Sequence, residues 1–180
     1  FDGAREHGYG GYHYDGRWTP VVMDIIDHFE LDWGDMVLDV GCAKGFLVHD
    51  LHRHHMNAYG LDISDYAVKN CHPDAIGRIH RGNVIDMPFP DNTFDVVICI
   101  NTIHNLPRDQ CIQALREIER VTKHSAAFVQ VGSYRTPEEK QLLEDWALTA
   151  ETHGYPDEWR QIFKEAGYKG DYFWTLVTPA

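Results

Sequence analysis

The chain has 180 residues, a length for one domain with a sizeable buried core, and its 43% hydrophobic and 24% charged residues are an ordinary globular composition. That excludes collagen-like, low-complexity and disordered chains. The 16 Lys and Arg against 28 Asp and Glu leave a net charge of −12, a poor balance for a phosphate-neutralising surface, so a small molecule rather than nucleic acid is the expected partner.

The chain opens on Gly8-Tyr9-Gly10-Gly11-Tyr12-His13-Tyr14-Asp15-Gly16-Arg17-Trp18, where glycines punctuate amphipathic aromatics. Two readings stand: a lid over residues 1–18 that folds onto a bound ligand and brings Tyr14 to it, or a frayed terminus. Thr19-Pro20 reads as a cap and first-turn proline for a helix whose apolar face carries Val21, Val22, Ile25, Ile26 and Phe29. Short Val- and Ile-rich runs then alternate with helical patterns, the signature of β-α units feeding a mostly parallel sheet with helices on both faces. Strands are expected at Met36–Val40, Ala58–Ile63, Arg78–Asn83, Phe94–Ile100, Ala126–Val131 and Tyr172–Val177. The fourth is nearly continuous in apolar residues, as a central strand covered on both faces should be.

Pro107 opens a helix over Arg108–Val121, with Ile112, Leu115, Ile118 and Val121 on a core-facing stripe. Thr136-Pro137-Glu138-Glu139 has capping-box spacing, with Glu139 expected to reach back to the cap amide, and predicts a helix from Pro137 to about Thr149. A last helix runs from Pro156 to Ala166 and stops at Gly167. No repeat or linker divides the chain, so residues 1–180 read as one domain. Cys42, Cys71, Cys99 and Cys111 form no C-x-x-C pair, which fits a reduced, cytoplasmic chain. No apolar run reaches membrane-spanning length and no signal-peptide pattern precedes the first helix. The chain begins at Phe1 without a methionine, which leaves room for an upstream piece.

Three strand ends carry the chemistry. After the first strand, Val40-Gly41-Cys42-Ala43-Lys44-Gly45-Phe46 is a small-residue turn before a helix, so backbone amides and the helix N-terminus can approach a ligand's polar groups. The second strand ends in Asp62, about 20 residues further on, where an acid can accept from both ribose hydroxyls or simply cap the helix that begins near Ser64. The third ends in Asn83, which can meet an adenine amine or satisfy its own turn.

In that order these motifs resemble the class I methyltransferases that use S-adenosylmethionine, over Val37 to about Val131. The resemblance implies a three-layer αβα sandwich with a Rossmann-like sheet. It places Asp39, Gly41, Ala43 and Gly45, with Cys42 between them, at the methionine part of the cofactor. Asp62 with Ile63 falls at the ribose, Asn83 with Val84 at the adenine, and Asn101 back at the methionine end. The family usually has glycine where Ala43 stands and aspartate where Asn83 stands. Alanine costs little at that position if its φ is negative, and an amide oxygen still accepts from an adenine amine. A dinucleotide site would want G-x-G-x-x-G, and Gly41-x-x-x-Gly45 followed by Phe46 does not supply it. The family also usually ends in a hairpin, for which the tail offers only one clear strand.

The implied reaction moves a methyl group to an oxygen or nitrogen of a small metabolite, leaving S-adenosylhomocysteine, in the manner of methyltransferases of polysaccharide and natural-product pathways. Beyond the fourth strand His104 is the candidate general base or positioning group, with helix capping as its competing role. Tyr134 and Arg135 project from the end of the fifth strand toward the same rim, Arg135 as an anion binder or a solvated charge. The run His49, His52, His54 and His55 has helical spacing, but no carboxylate or cysteine beside it completes a coordination set, so solvated histidines and no metal are expected. A catalytically silent cofactor-binding partner subunit is the alternative to an enzyme. Homodimerisation stays open.

Overall fold

A computed structural model describes residues 12–147 and 149–178. The apolar runs do become strands: β1 Met36–Val40, β2 Asn57–Asp62, β3 Ile79–Arg81, β4 Val96–Ile100, β5 Ala127–Ser133 and β6 Asp171–Leu176. They form one sheet in the order β3-β2-β1-β4-β5-β6, with every pairing parallel. β1 sits between β2 and β4 with Val37 opposite both Ala58 and Val96. The strand order reverses there, and in an open α/β sheet such a switch point leaves a crevice at the carboxyl ends of the strands. Among the described residues β6 is the edge strand, parallel to β5, and no hairpin follows it.

Alternation along the strands feeds two cores. Leu38, Val40, Val97 and Cys99 point to the face covered by helices α4 (Arg108–Val121) and α6 (Pro156–Ala166), where Leu115, Ile118 and Trp159 are fully buried. Val37, Val96 and Ile98 point to the opposite face, against Val22 and Ile25 of α1 (Trp18–His28) and Leu47 and Leu51 of α2 (Phe46–Arg53). A short α3 (Asp65–Lys69) and a 3₁₀ turn (Pro73–Ala75) link β2 to β3, and α5 (Pro137–Trp146) follows β5.

Several helix ends differ from the sequence expectation. α1 begins at Trp18, so Thr19 lies inside the first turn, where its hydroxyl donates to Asp50 Oδ2 at 3.0 Å instead of capping. α5 stops at Trp146, one turn early. Thr136 does cap it, accepting from the Glu139 amide, but Glu139 reaches past the cap to the Arg135 amide at 2.7 Å and pairs with the Arg135 guanidinium. α6 ends as expected at Gly167, φ 75°.

Candidate functional site

The turn between β1 and α2 is built from left-handed backbone. Gly41 has φ 76° and Gly45, the α2 N-cap, φ 72°. A Cβ on Gly41 would stand 2.0 Å from Thr102 Oγ1. That hydroxyl ties β1 to β4 by donating toward the carbonyls of Val40 and Ile100, each at 3.1 Å. Ala43 also has a positive φ, 47°, so the condition under which alanine would cost little there, a negative φ, is not met and the residue is strained. Its amide donates to Asp62 Oδ2 at 2.8 Å, and the Ser64 amide donates to Oδ1 at 2.8 Å. Asp62 therefore holds the turn and also leads into α3, whose cap is Ser64. Each carboxylate oxygen keeps a further lone pair.

A cavity of about 580 Å³ opens at these strand ends. Asp39, Gly41, Cys42, Ala43, Asp62, Ile63, Asn83, Val84 and Asn101 line it, nine of the eleven residues expected at a cofactor. Asn83 also accepts from the Ile85 amide at 3.2 Å, the self-satisfied turn that was its competing reading. Asn101, with φ 52°, is fixed through its side-chain oxygen by Thr175 of β6 at 2.8 Å, and Thr175 in turn accepts from Gln130 of β5 at 2.7 Å. Burial, reinforced by the nearby Asp62, pushes the Asp39 carboxyl up to about 8. The same burial and the two acids raise the Cys42 thiol well above its usual value, so it faces the cavity as a neutral, unreactive group. Arg17, the one Lys or Arg among the described lining residues, is paired with Asp15.

The two remaining cofactor candidates stand elsewhere. Gly45 shapes the start of α2 without facing the cavity, and Tyr14 lies across α2, its hydroxyl donating to Asp50 Oδ1 at 2.6 Å and its ring against Phe46, His49 and His72. Of the described aromatics of that segment it is Tyr12 and Trp18 that line the cavity, Tyr12 stacked on Phe46 at 4.7 Å. The segment before Tyr12 lies outside the described residues. Aromatic alternation was the available signal for Tyr12; nothing local pointed to Trp146 and Thr149, which close the rim from the end of α5, Thr149 donating to Asn105 at 2.8 Å.

His104 and Tyr134 also stand away from the cavity wall. The 3₁₀ turn Ile103–Asn105 swings His104 under β5, where it is 2% exposed and its Nδ1 accepts from the Gly132 amide at 2.8 Å. Burial, with a smaller contribution from His153, lowers its pKa to about 4, so the ring is neutral and its accepting nitrogen is already engaged. Tyr134 is buried edge-on against Tyr155, 4.7 Å between ring centroids, and Arg135 is spent on Glu139. Of the histidine run, His52 and His55 are exposed as expected, but His49 is buried at 4% exposure beside His72 and Asp74, partners more than twenty residues away in the chain.

A family model described as a methyltransferase domain matches residues 38–129, just over half of the chain. The 2-methyl-6-phytyl-1,4-hydroquinone methyltransferase of Synechocystis sp. is 27% identical over 182 residues, covering 83% of this chain and 57% of its own length. The 24-methylenesterol C-methyltransferase 2 of Arabidopsis thaliana is 31% identical over 112 residues, 58% of this chain and 30% of its own. The mitochondrial arginine-hydroxylase NDUFAF5 of Rattus norvegicus is 32% identical over 118 residues, 63% of this chain and 32% of its own, so this chain spans about a third of the rat and Arabidopsis proteins. A solved S-adenosylmethionine-dependent methyltransferase from Archaeoglobus fulgidus superposes with TM-score 0.67 at 18% identity, covering 84% of this chain and 67% of that one, a likeness of fold. Because the family match runs from the first strand of the sheet into the fifth, through the turn that shapes the cavity, this chain belongs to the class I S-adenosylmethionine-dependent methyltransferases, an α/β family with a Rossmann-like sheet.

Proposed function

We propose that the protein transfers a methyl group from S-adenosylmethionine to an oxygen or nitrogen of a small-molecule acceptor, and that the cavity at the switch point holds both. The observation that carries this reading is the pairing of buried Asp39 and Asp62 in one cavity whose described lining has no free Lys or Arg to neutralise them. Such a site favours a cationic ligand, and the cofactor carries an ammonium and a sulfonium. Asp39 would hold the ammonium, Asp62 would accept from ribose hydroxyls on its remaining lone pairs, and Ile63 and Val84 would flank the adenine beside the Asn83 side chain.

When bound, the cofactor supplies an electrophilic methyl group. The chain's own part is alignment and exclusion of water. Trp18, Leu106 and Trp146 give the far wall an apolar character, which suits an acceptor with an apolar body; the sterol and quinone names of the relatives above point the same way. No histidine is among the described lining residues, so an acceptor proton leaves to solvent rather than to His104. No helix among the described residues is long and apolar enough to cross a membrane.

Calorimetric titration with S-adenosylhomocysteine, with NAD as control, tests the reading. Stoichiometric binding of the homocysteine compound alone is expected; binding of NAD, or of neither, overturns it. A silent cofactor-binding subunit would bind equally well yet transfer no labelled methyl group to any member of a panel of small hydroxylated and amino acceptors.

A further inference from the structure

We propose that His49, His72 and Asp74 form a binding site for a divalent transition-metal ion, Zn²⁺ by ligand type, on the outer side of α2 and away from the cavity. One ligand atom from each of the three lies within 4.8 Å of the others. The strongest sign is His49 Nδ1, a fully buried nitrogen with no hydrogen-bond partner. Asp74 Oδ2 stands 3.1 Å from it without the geometry of a hydrogen bond. Two donors bound to one tetrahedral Zn²⁺ at their usual bond lengths stand about 3.3 Å apart, so a shared ion fits this separation where the alignment does not make a hydrogen bond.

The surroundings fit as well. His49 Nε2 lies 3.7 Å from the buried Asp50 carboxylate, outside hydrogen-bond reach, so the negative charge favours a metal-bound imidazole through space. The His49 and His72 rings are stacked at 3.8 Å and tilted by 33°, closer than the roughly 5 Å between two imidazoles on one tetrahedral ion, so loading swings the less buried His72 ring outward. Loading also costs a hydrogen bond: the Asp74 amide donates a long 3.3 Å bond to His72 Nδ1, and ligation by either His72 nitrogen gives it up, because the metal takes that lone pair or forces the proton onto Nδ1. Two imidazoles, one carboxylate and a water complete a four-coordinate set of the kind Zn²⁺ accepts. Tyr14 rests on both rings, at 5.0 and 5.2 Å, so the ion would fasten α2 to the turn before β3 directly beneath the segment that closes the cavity.

Metal-free protein titrated with Co²⁺ should take up one equivalent with a visible ligand-field spectrum, which Zn²⁺ displaces. His72→Gln and Asp74→Asn, both on side chains outside the core, should each weaken that binding by about tenfold or more. Zn²⁺ should raise the thermal unfolding temperature of the wild type and of neither variant. Absence of saturable one-equivalent uptake, binding in both variants as tight as in the wild type, or a thiolate charge-transfer band placing the ion on Cys71 would each overturn the site.

Discussion

Asp62 joins two tasks in one carboxylate, because the Ala43 and Ser64 amides take one lone pair on each oxygen and the others face the cavity. Asp62→Ala should therefore weaken binding of S-adenosylhomocysteine by about 1–3 kcal/mol, measured by calorimetry, since the ribose loses its acceptor and the Ala43 amide is orphaned. An affinity within twofold of wild type would mean the ribose lies elsewhere. Ala43 gives a second test at this scale. Its φ of 47° is open to glycine and closed in practice to β-branched residues. Ala43→Gly should stay within about 1 kcal/mol of wild type, relief of strain offsetting the lost methyl group and the added chain entropy. Ala43→Val should cost about 2 kcal/mol or more. Equal denaturation midpoints for the two variants would contradict a left-handed residue there.

Between elements, the contact that sets the shape of the cavity mouth is α2 against the segment entering α1. Asp50 is fully buried and accepts from the Tyr14 and Thr19 hydroxyls, at 2.6 and 3.0 Å, so it latches that segment down. Tyr14→Phe should cost about 1.5–3 kcal/mol, the range for a hydrogen bond to a charged group, and lower the thermal midpoint by roughly 2–4 °C for each of those kcal/mol. Faster amide exchange confined to residues 12–17 would show that the latch has opened; an unchanged midpoint would show that Asp50 does not need it. This contact marks the limit of what the sequence discloses. The strands, the glycine turn and Asp62 are legible because apolar runs, small residues and strand-end acids report their own local environment. Tyr12 and Tyr14 are two residues apart with similar surroundings in sequence, and only docking on α2 decides which of them meets the cavity. His104 follows β4 just where a rim residue should, yet one 3₁₀ turn carries it beneath Gly132. Likewise His49 gains His72 and Asp74 through the fold of the β2–β3 connection, which helical spacing could not reveal.

At the scale of the whole molecule, opposing groups set the dependence of stability on pH. Burial works to raise Asp95, but Lys123 and the Met36 amide outweigh it and hold it low; Glu117 is held low by Arg120 and the Met87 amide. Carboxylates depressed on folding contribute stability that is complete above their unfolded values, near 4, and is lost as pH falls through the folded ones. Asp39 acts with the opposite sign. Its folded value of about 8 lies above the ordinary 3.8, so the folded state binds a proton that the unfolded chain has released. Its contribution is fully present below about 4 and declines as pH rises to about 8, by at most about 1.4 kcal/mol for each pH unit. Self-repulsion in a chain of net charge −12 adds to that alkaline decline. Thermal unfolding of the unliganded protein should accordingly peak on the acid side of neutrality and weaken toward pH 8. Asp39→Asn, which cannot ionise, should flatten the alkaline side, and its advantage over wild type should grow steadily from pH 5 to pH 8. Saturating S-adenosylhomocysteine should flatten it in the wild type too, because an ammonium beside Asp39 favours the charged carboxylate. Parallel pH profiles for wild type and variant would show that the buried carboxyl does not govern the decline, and would remove the electrostatic ground for placing a cation beside it.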